Sequence, residues 1–212
     1  MIGSDMKEAS ATLAGRSERG RATREALLDA GERLLAWQGL EGMTSTAVAA
    51  EAGVATGTFY GYFPDKHALL AALFARRLDD VVARVERVLT SDRLLDDGLE
   101  ATLRLAVEVV LAGYRAHAHV LRAALARVAL RDDLRAIYWE RHARAVAVVE
   151  RFVARGQRAR MVRDADPSLL AHTVLVVTQS LNHPVLLSGD VDLAAGVEAE
   201  IAWLLNALLD RR

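Results

Sequence analysis

The stretch from Thr44 to His67, TSTAVAAEAGVATGTFYGYFPDKH, limits the possible folds more than any other part of the chain. The Thr44 hydroxyl suits a helix N-cap, because it can accept a hydrogen bond from a backbone N–H of the first turn. Gly53 suits the end of that helix, since glycine adopts positive φ at low cost. Pro64 stops a second short helix, and Asp65 can cap the next one. The stretch therefore predicts two short helices around a glycine turn, which is typical of a helix-turn-helix.

The same stretch follows a longer pattern, A-x-x-A-G-V-x-x-G-x-x-Y-x-x-F-x-x-K-x-x-L. Its fixed positions are Ala49, Ala52, Gly53, Val54, Gly57, Tyr60, Phe63, Lys66 and Leu69. In this pattern the chain resembles the TetR family of transcriptional repressors over about residues 20–75, and the remainder agrees with the family in length and helicity only. The resemblance implies a sequence-specific DNA-binding regulator, a repressor that a small-molecule effector releases from its operator.

The resemblance also implies which residues contact double-stranded operator DNA. We expect Tyr60 and Lys66 to hold phosphates and Thr58 to reach a base edge or a thymine methyl. Phe59 and Phe63 are assigned to the core. The full set of expected DNA-binding residues is Arg24, Thr44, Ser45, Thr46, Thr56, Gly57, Thr58, Tyr60, Gly61, Tyr62 and Lys66.

The charge of the chain is concentrated where a DNA-binding role needs it. The formal net charge is −1, but whole-chain charge says little when binding uses one small face. Residues 15–24, GRSERGRATR, hold four arginines and one glutamate, a local charge of +3 just before the first amphipathic helix. This segment is expected to assist phosphate binding, with a solvated tail as the alternative.

Composition points to an all-α protein. Ala, Leu, Arg and Glu, all good helix formers, dominate the sequence, and it contains three prolines and no cysteine. The absence of cysteine rules out a disulfide framework and a thiolate metal site. There is no signal-peptide pattern at the N-terminus and no apolar run near the ~18 residues of a membrane helix. We therefore expect a cytoplasmic protein with no membrane association, no metal and no cofactor.

The hydrophobic periodicity predicts an N-terminal three-helix unit joined by one long helix to a C-terminal helical bundle. The predicted regions are a disordered basic-ended arm over residues 1–20, a helix-turn-helix domain over 21–67, and an effector-binding and dimerisation domain over 68–212. The first helix is expected from Thr23 to Gln38, with Trp37 in the core, and the long helix from Asp65 to Leu89. The last helix carries an inward stripe predicted at Val197, Ile201, Leu204 and Leu208.

In the family that the chain resembles, the larger domain binds a small effector between its helices and the last two helices pair with a second subunit. We therefore expect a homodimer and an unknown small-molecule effector. The candidate effector contacts are polar or aromatic residues at otherwise inward positions. They are Tyr114, His117, Tyr138, His142, Thr178, Gln179, Asn182 and His183. Pro184 predicts a kink near Ser180 to Asn182.

Two other readings remain open at this point. An all-helical enzyme would need a recognisable catalytic or metal motif, and the sequence has no HExxH, no glycine-rich phosphate loop and no nucleophile elbow. A helical adaptor could bind protein through the aromatic motif, but it does not explain the basic segment as simply. We therefore expect no enzymatic activity and no catalytic residues.

Overall fold

The computed structural model describes residues 2–179, 181 and 191–211. Its helices are α1 (Ile2–Gly42), α2 (Ser45–Glu51), α3 (Thr56–Tyr60), α4 (Lys66–Val88), α5 (Ser91–Ala116), α6 (Ala118–Leu125), α7 (Asp132–Arg158), α8 (Pro167–Gln179) and α9 (Val191–Leu209). Within these residues the one β pairing is an antiparallel bridge between Val162 and Asp210. The predicted all-α fold is confirmed. Over the same residues, each helix is too short or too polar to span a bilayer.

The chain divides into two compact units, Met1–Leu73 and Phe74–Arg212. The division falls within α4, which therefore contributes to both units, whereas the sequence analysis placed the boundary at residue 67. The Asp65 carboxylate caps the start of α4, accepting hydrogen bonds from the backbone N–H groups of His67 and Ala68 at 2.8 Å each. The cap predicted for the long helix is thus present.

Helix α1 begins at Ile2, so the prediction of a disordered arm over residues 1–20 is corrected here. The physical reason lies in the composition of the segment, because Lys7, Glu8, Ala9 and other good helix formers lead without a proline into the predicted helix. At Gly39, the predicted end of the first helix, the backbone leaves helical geometry with φ 68° and ψ −175°, and α1 continues beyond this kink to Gly42.

The core of the first unit joins α1 to the motif helices and to the start of α4. Leu27, Phe59 and Leu69 are fully buried. Trp37, expected in the core, is instead 87% exposed. Two residues of helix correspond to about 200° of rotation, so Trp37 lies on the opposite side of α1 from the buried Leu35.

The core of the second unit is built from α4, α5, α7, α8 and α9. A close approach occurs where a Cβ added to Gly113 of α5 would lie 2.9 Å from Val81 of α4. The inward face of α9 differs from the predicted stripe, since Leu204 is 45% exposed whereas Leu205 and Leu209 are buried. Positions four apart lie on one face of a helix, and here the buried row passes through Ile201, Leu205 and Leu209.

Candidate functional site

The helix-turn-helix of the first unit is held by its own backbone chemistry. The Thr44 hydroxyl accepts a hydrogen bond from the backbone N–H of Ala47 at 3.1 Å and so caps α2. After α2, Gly53 adopts φ 69°, and its N–H donates to the carbonyl of Ala50 at 3.1 Å. This left-handed conformation lets the chain turn into α3 within four residues. Glycine suits the position because a side chain would be strained there. Both devices are those predicted from the sequence.

Two phenylalanines fix the orientation of α3. Phe59 is fully buried and Phe63 nearly so, and their ring centroids are 5.8 Å apart. Tyr60 meets the edge of Phe59 at 5.5 Å but remains 56% exposed. Because the aromatic core holds one side of α3, the opposite side faces solvent with a fixed orientation. The assignment of Phe59 and Phe63 to the core is confirmed.

The residues predicted to bind DNA lie on the accessible surface of this motif. Those exposed are Arg24, Thr44, Thr46, Gly57, Tyr60, Gly61 and Tyr62, and those half-buried are Ser45, Thr56, Thr58 and Lys66. A Cβ added at Gly57 would meet no atom within 4 Å. The α3 surface is therefore shallow and open, and its hydroxyl groups come from threonines and tyrosines.

Arg24 joins the N-terminal basic segment to the motif. Its guanidinium lies 5.5 Å from the centroid of the Phe63 ring, a cation–π distance. A Cβ added at the neighbouring Gly20 would lie 3.6 Å from the hydroxyl oxygen of Tyr62. Helix α1 thus brings positive charge beside the aromatic end of the motif.

Lys66, a predicted phosphate contact, already binds two acceptors at the end of α1. Its ammonium donates to the Leu40 carbonyl at 3.0 Å and to the Glu41 carboxylate at 3.2 Å. The Leu40 carbonyl lies at the end of α1, where backbone acceptors have no partner within the helix. Lys66 therefore closes the end of α1, and one of its three N–H donors is left for another acceptor.

The second unit contains a cavity of about 120 Å³ between its helices. Most of its wall is apolar, with residues such as Val107, Val149, Phe152 and Leu205. Five of the eight candidate effector contacts line the cavity. They are Tyr114, Tyr138, His142, Thr178 and Gln179.

A hydrogen bond joins α7 and α8 at the polar part of this wall. Gln179 of α8 donates to Nδ1 of His142 on α7 at 3.3 Å. The Tyr138 and His142 rings stack with centroids 6.0 Å apart. Burial raises the pKa of Tyr138. Burial, and secondarily the charge of His172, lowers the pKa of His142, so the neutral imidazole is favoured.

Arg141 also lines the cavity, and the sequence analysis did not identify it. Its guanidinium donates to Glu140 at 2.6 Å and to Asp79 of α4 at 3.3 Å. Its Nε is buried and has no hydrogen-bond partner among the described residues. Only its place one residue before His142 could have marked it in the sequence.

The other three candidate effector contacts are not part of the described wall. His117 forms the junction between α5 and α6, where its carbonyl accepts from the N–H of Val120 at 3.0 Å, and it does not line the cavity. Asn182 and His183 lie outside the described residues, and so do both ends of the kink predicted near Ser180 to Asn182. The cavity wall as described is therefore formed without them.

The helix-turn-helix region is similar to a known family. Residues 27–73 match the model for bacterial regulatory proteins, tetR family. The HTH-type transcriptional repressor KstR of Mycolicibacterium smegmatis is 38% identical over 71 residues, which is 34% of this chain and 35% of KstR. The match thus spans about a third of the length of that curated relative.

Solved structures resemble the chain over most of its length. A putative TetR-family regulator from Mesorhizobium loti has a TM-score of 0.75 at 17% identity, covering 91% of this chain and 98% of its own. SmeT, the repressor of the Stenotrophomonas maltophilia multidrug efflux pump SmeDEF, has a TM-score of 0.66 at 22% identity, covering 90% of this chain and 92% of SmeT. SmeT has also been solved as a complex with triclosan. At these identities the likeness concerns the fold.

Proposed function

We propose that this chain is a sequence-specific DNA-binding transcriptional repressor that acts by binding and not by catalysis, because residues 27–73 match the model for bacterial regulatory proteins, tetR family. Its α3 surface enters the major groove of operator DNA. One observation carries the proposal: the buried Phe59 and Phe63 hold α3 in one orientation, with its opposite side facing solvent. Since bacterial operator DNA lies in the cytoplasm, the proposal places the chain there.

Within this proposal the exposed side chains divide into two roles. Thr46 and Thr58 read base edges, because hydroxyl groups can donate and accept in the major groove. Tyr60 and the third N–H of Lys66 bind phosphates and set the register. Arg24 and the arginines before it add attraction that is independent of sequence.

A second part of the proposal is a homodimer formed through α8 and α9. Support comes from large apolar side chains that the described chain leaves at the surface of these helices, Val176 at 66%, Trp203 at 64% and Leu204 at 45% exposure. Apolar surface concentrated on neighbouring helices marks an interaction site. A two-fold dimer presents two α3 helices to half-sites about one DNA turn apart, ~34–36 Å.

The third part is release from DNA by a small molecule bound in the second unit. Support comes from the cavity among α4, α5, α7 and α8 and from the existence of a triclosan complex of SmeT, which shares the fold. A ligand shifts an equilibrium only by its differential affinity for the two states. The effector therefore binds preferentially to the dimer conformation in which the two α3 helices do not fit adjacent half-sites.

Selection of bound sequences from random duplex DNA tests the DNA-reading function. We expect enrichment of a two-fold-symmetric site with half-sites about one helical turn apart. A population that stays random after repeated selection overturns the proposal.

A matched pair of variants then locates the reader. Thr58→Val keeps the side-chain shape and removes a hydroxyl of α3, so it should relax the preference at one base pair of each half-site, at a cost of about 1–3 kcal/mol. Thr23→Val removes a hydroxyl of α1 that donates to the Arg19 carbonyl at 2.9 Å, and the selected sequence should not change.

A further inference from the structure

We propose that two ion-pair contacts between α4 and α7 hold the long helix α4 in position and that the affinity for DNA depends on them. The first contact is formed by Asp79 of α4 with Arg144 and Arg141 of α7. The second contact is formed by Glu86 of α4 with Arg151 of α7. The inference rests on the proposed function, because it names positioning residues for the helix that continues into the DNA-reading unit.

The two contacts fix the register of α4 against α7. Arg144 donates to Asp79 at 3.0 Å, and Arg151 donates to Glu86 at 2.7 Å. The two acidic residues are seven positions apart on α4, and so are the two arginines on α7, so the helices run side by side in the same direction. A shift of α4 by one residue would move both carboxylates by about 1.5 Å along the helix and by about 100° around it. Both contacts would then break together.

The cavity of the second unit separates these two helices beside the contacts. Leu78 and Val85 of α4 line the cavity, and each immediately precedes an acidic residue of a contact. Ala145 and Phe152 of α7 line it too, and each immediately follows an arginine of a contact. Residues that line a cavity lack some of the atoms that they would otherwise pack against. The ion pairs therefore carry more of the connection between α4 and α7 than they would on closely packed helices.

The position of α4 matters for DNA binding because this helix contributes to both units of the chain. In the proposed dimer, the two α3 helices must meet two half-sites at the same time. A subunit whose α4 is held in one register loses less conformational freedom on binding than a subunit whose α4 is not held. The two contacts should therefore strengthen DNA binding, although residues of the second unit form them.

Charge reversal of the second contact tests this role. Glu86→Arg and Arg151→Glu each replace attraction by repulsion. Each should weaken binding of the selected DNA site at least about threefold, because an exposed ion pair shifts an equilibrium by up to about fivefold. The double variant restores an ion pair with exchanged charges and should bind within about twofold of the wild type. Both side chains are about half exposed, so the fold should persist in all variants, which their melting temperatures check.

Long-range attraction between charges predicts a different result. Glu86→Arg adds positive charge and Arg151→Glu adds negative charge, so this attraction alone would change DNA affinity in opposite directions. Glu100→Arg is the matched control, because it makes the same change of charge at an exposed ion pair with Arg104 inside α5. It should bind DNA within about twofold of the wild type. Unchanged or opposite effects of the two single reversals overturn the inference, and so does a double variant as weak as either.

A measurement without DNA keeps this inference distinct from the proposed function. The chain has no cysteine, so spin labels attach only at introduced ones, Arg87→Cys on α4 and Ala143→Cys on α7, both at exposed positions. Labelled chains are diluted with unlabelled protein, and the distribution of distances between the two labels is measured. It should broaden in each single reversal and narrow again in the double variant.

The two measurements together give separable outcomes. If the label distances behave as expected and DNA selection yields no site, the positioning role stands and the proposed function fails. If DNA selection yields a site and the label distances are the same in all variants, the DNA-reading function stands and the positioning role fails.

Discussion

The Lys66 ammonium connects the end of α1 to the start of α4 through Leu40 and Glu41. Lys66→Ala leaves the Leu40 carbonyl without this donor, and we expect the first unit to lose about 1.5–3 kcal/mol, the range for hydrogen bonds to charged groups. If the third N–H binds a phosphate, the slope of log affinity for DNA against log salt concentration falls by about one unit. Chemical denaturation and DNA titrations at several salt concentrations measure the two effects separately.

Glu41→Gln is the control for this prediction. Glu41 is 89% exposed at its side chain, so its ion pair with Lys66 contributes at most about 1 kcal/mol. The variant keeps the ammonium and its bond to Leu40, and the salt slope should stay at the wild-type value. A salt slope that is unchanged in Lys66→Ala removes Lys66 from the phosphate contacts and leaves it the structural role alone.

His142 makes the stability of the second unit depend on pH. Burial, and then His172, lowers its pKa from the ordinary 6.5. The unfolded chain therefore binds the proton more readily than the folded chain, so this contribution is present above pH 6.5 and is lost as the pH falls from there through the folded-state pKa. His142→Gln does not titrate, and its melting temperature should fall less than that of the wild type between about pH 7 and about pH 5.

His172→Gln should show an intermediate pH dependence of the melting temperature. It removes only the smaller of the two causes that act on His142, so the loss of melting temperature on acidification should lie between those of the wild type and His142→Gln. Identical curves for all three proteins contradict the assignment of the pH dependence to this pair.

Arg141 shows why the candidate site could be predicted only in part. Of the 27 basic residues only Lys7 and Lys66 are lysines, so the abundance of arginine hides the one arginine that lines the cavity within the described residues. Tyr138 and His142 were found because they are polar residues at inward helical positions. The contact between Arg141 and Asp79 is set by packing of α7 on α4, and no local pattern encodes it.

At the scale of the secondary-structure elements, the two glycines of the motif have opposite requirements. Gly53 has φ 69°, whereas Gly57 lies in α3 and is not among the glycines with positive φ. A methyl group added at either position meets no atom within 4 Å. Gly53→Ala should therefore cost about 1–2 kcal/mol of stability from backbone strain alone. Gly57→Ala should gain about 0.5–1 kcal/mol, because alanine favours the helix.

Gly57→Ala should weaken DNA binding although it stabilises the protein. Its methyl group projects from the surface of α3 that the proposed function places against DNA, so the variant should be more stable and bind the selected site less tightly. Denaturation midpoints and DNA titrations measure both properties. Unchanged DNA affinity in Gly57→Ala means that the backbone of α3 does not approach the bases closely at this position.

The elements that sequence reasoning located best are those fixed by local chemistry. The Thr44 and Asp65 caps depend on side chains acting within four residues, and the Gly53 turn depends on the backbone freedom of glycine, so these three features could be predicted from the sequence alone. The inward face of α9 was not, because apolar residues lie on several of its sides, and partners distant in sequence decide which of Leu204 and Leu205 is buried.

For the whole molecule, the proposed dimer depends on apolar surface that the single chain leaves unburied. Trp203 on α9 is 64% exposed and Trp37 on α1 is 87% exposed. If α8 and α9 pair two subunits, a carboxylate at position 203 enters an apolar interface and loses hydration without a partner. The same change at position 37 alters a surface side chain of the first unit only.

Trp203→Glu should therefore convert the dimer to a monomer at micromolar concentration, and Trp37→Glu should sediment as the wild type does. The DNA affinity of Trp203→Glu should fall by at least about tenfold, because a monomer contacts one half-site and each tenfold corresponds to about 1.4 kcal/mol of lost contacts. Analytical ultracentrifugation and titration of the selected DNA site measure the two quantities on the same samples. A Trp203→Glu protein that remains dimeric contradicts an interface through this face of α9, and a wild type that is monomeric at the same concentration contradicts the dimer itself.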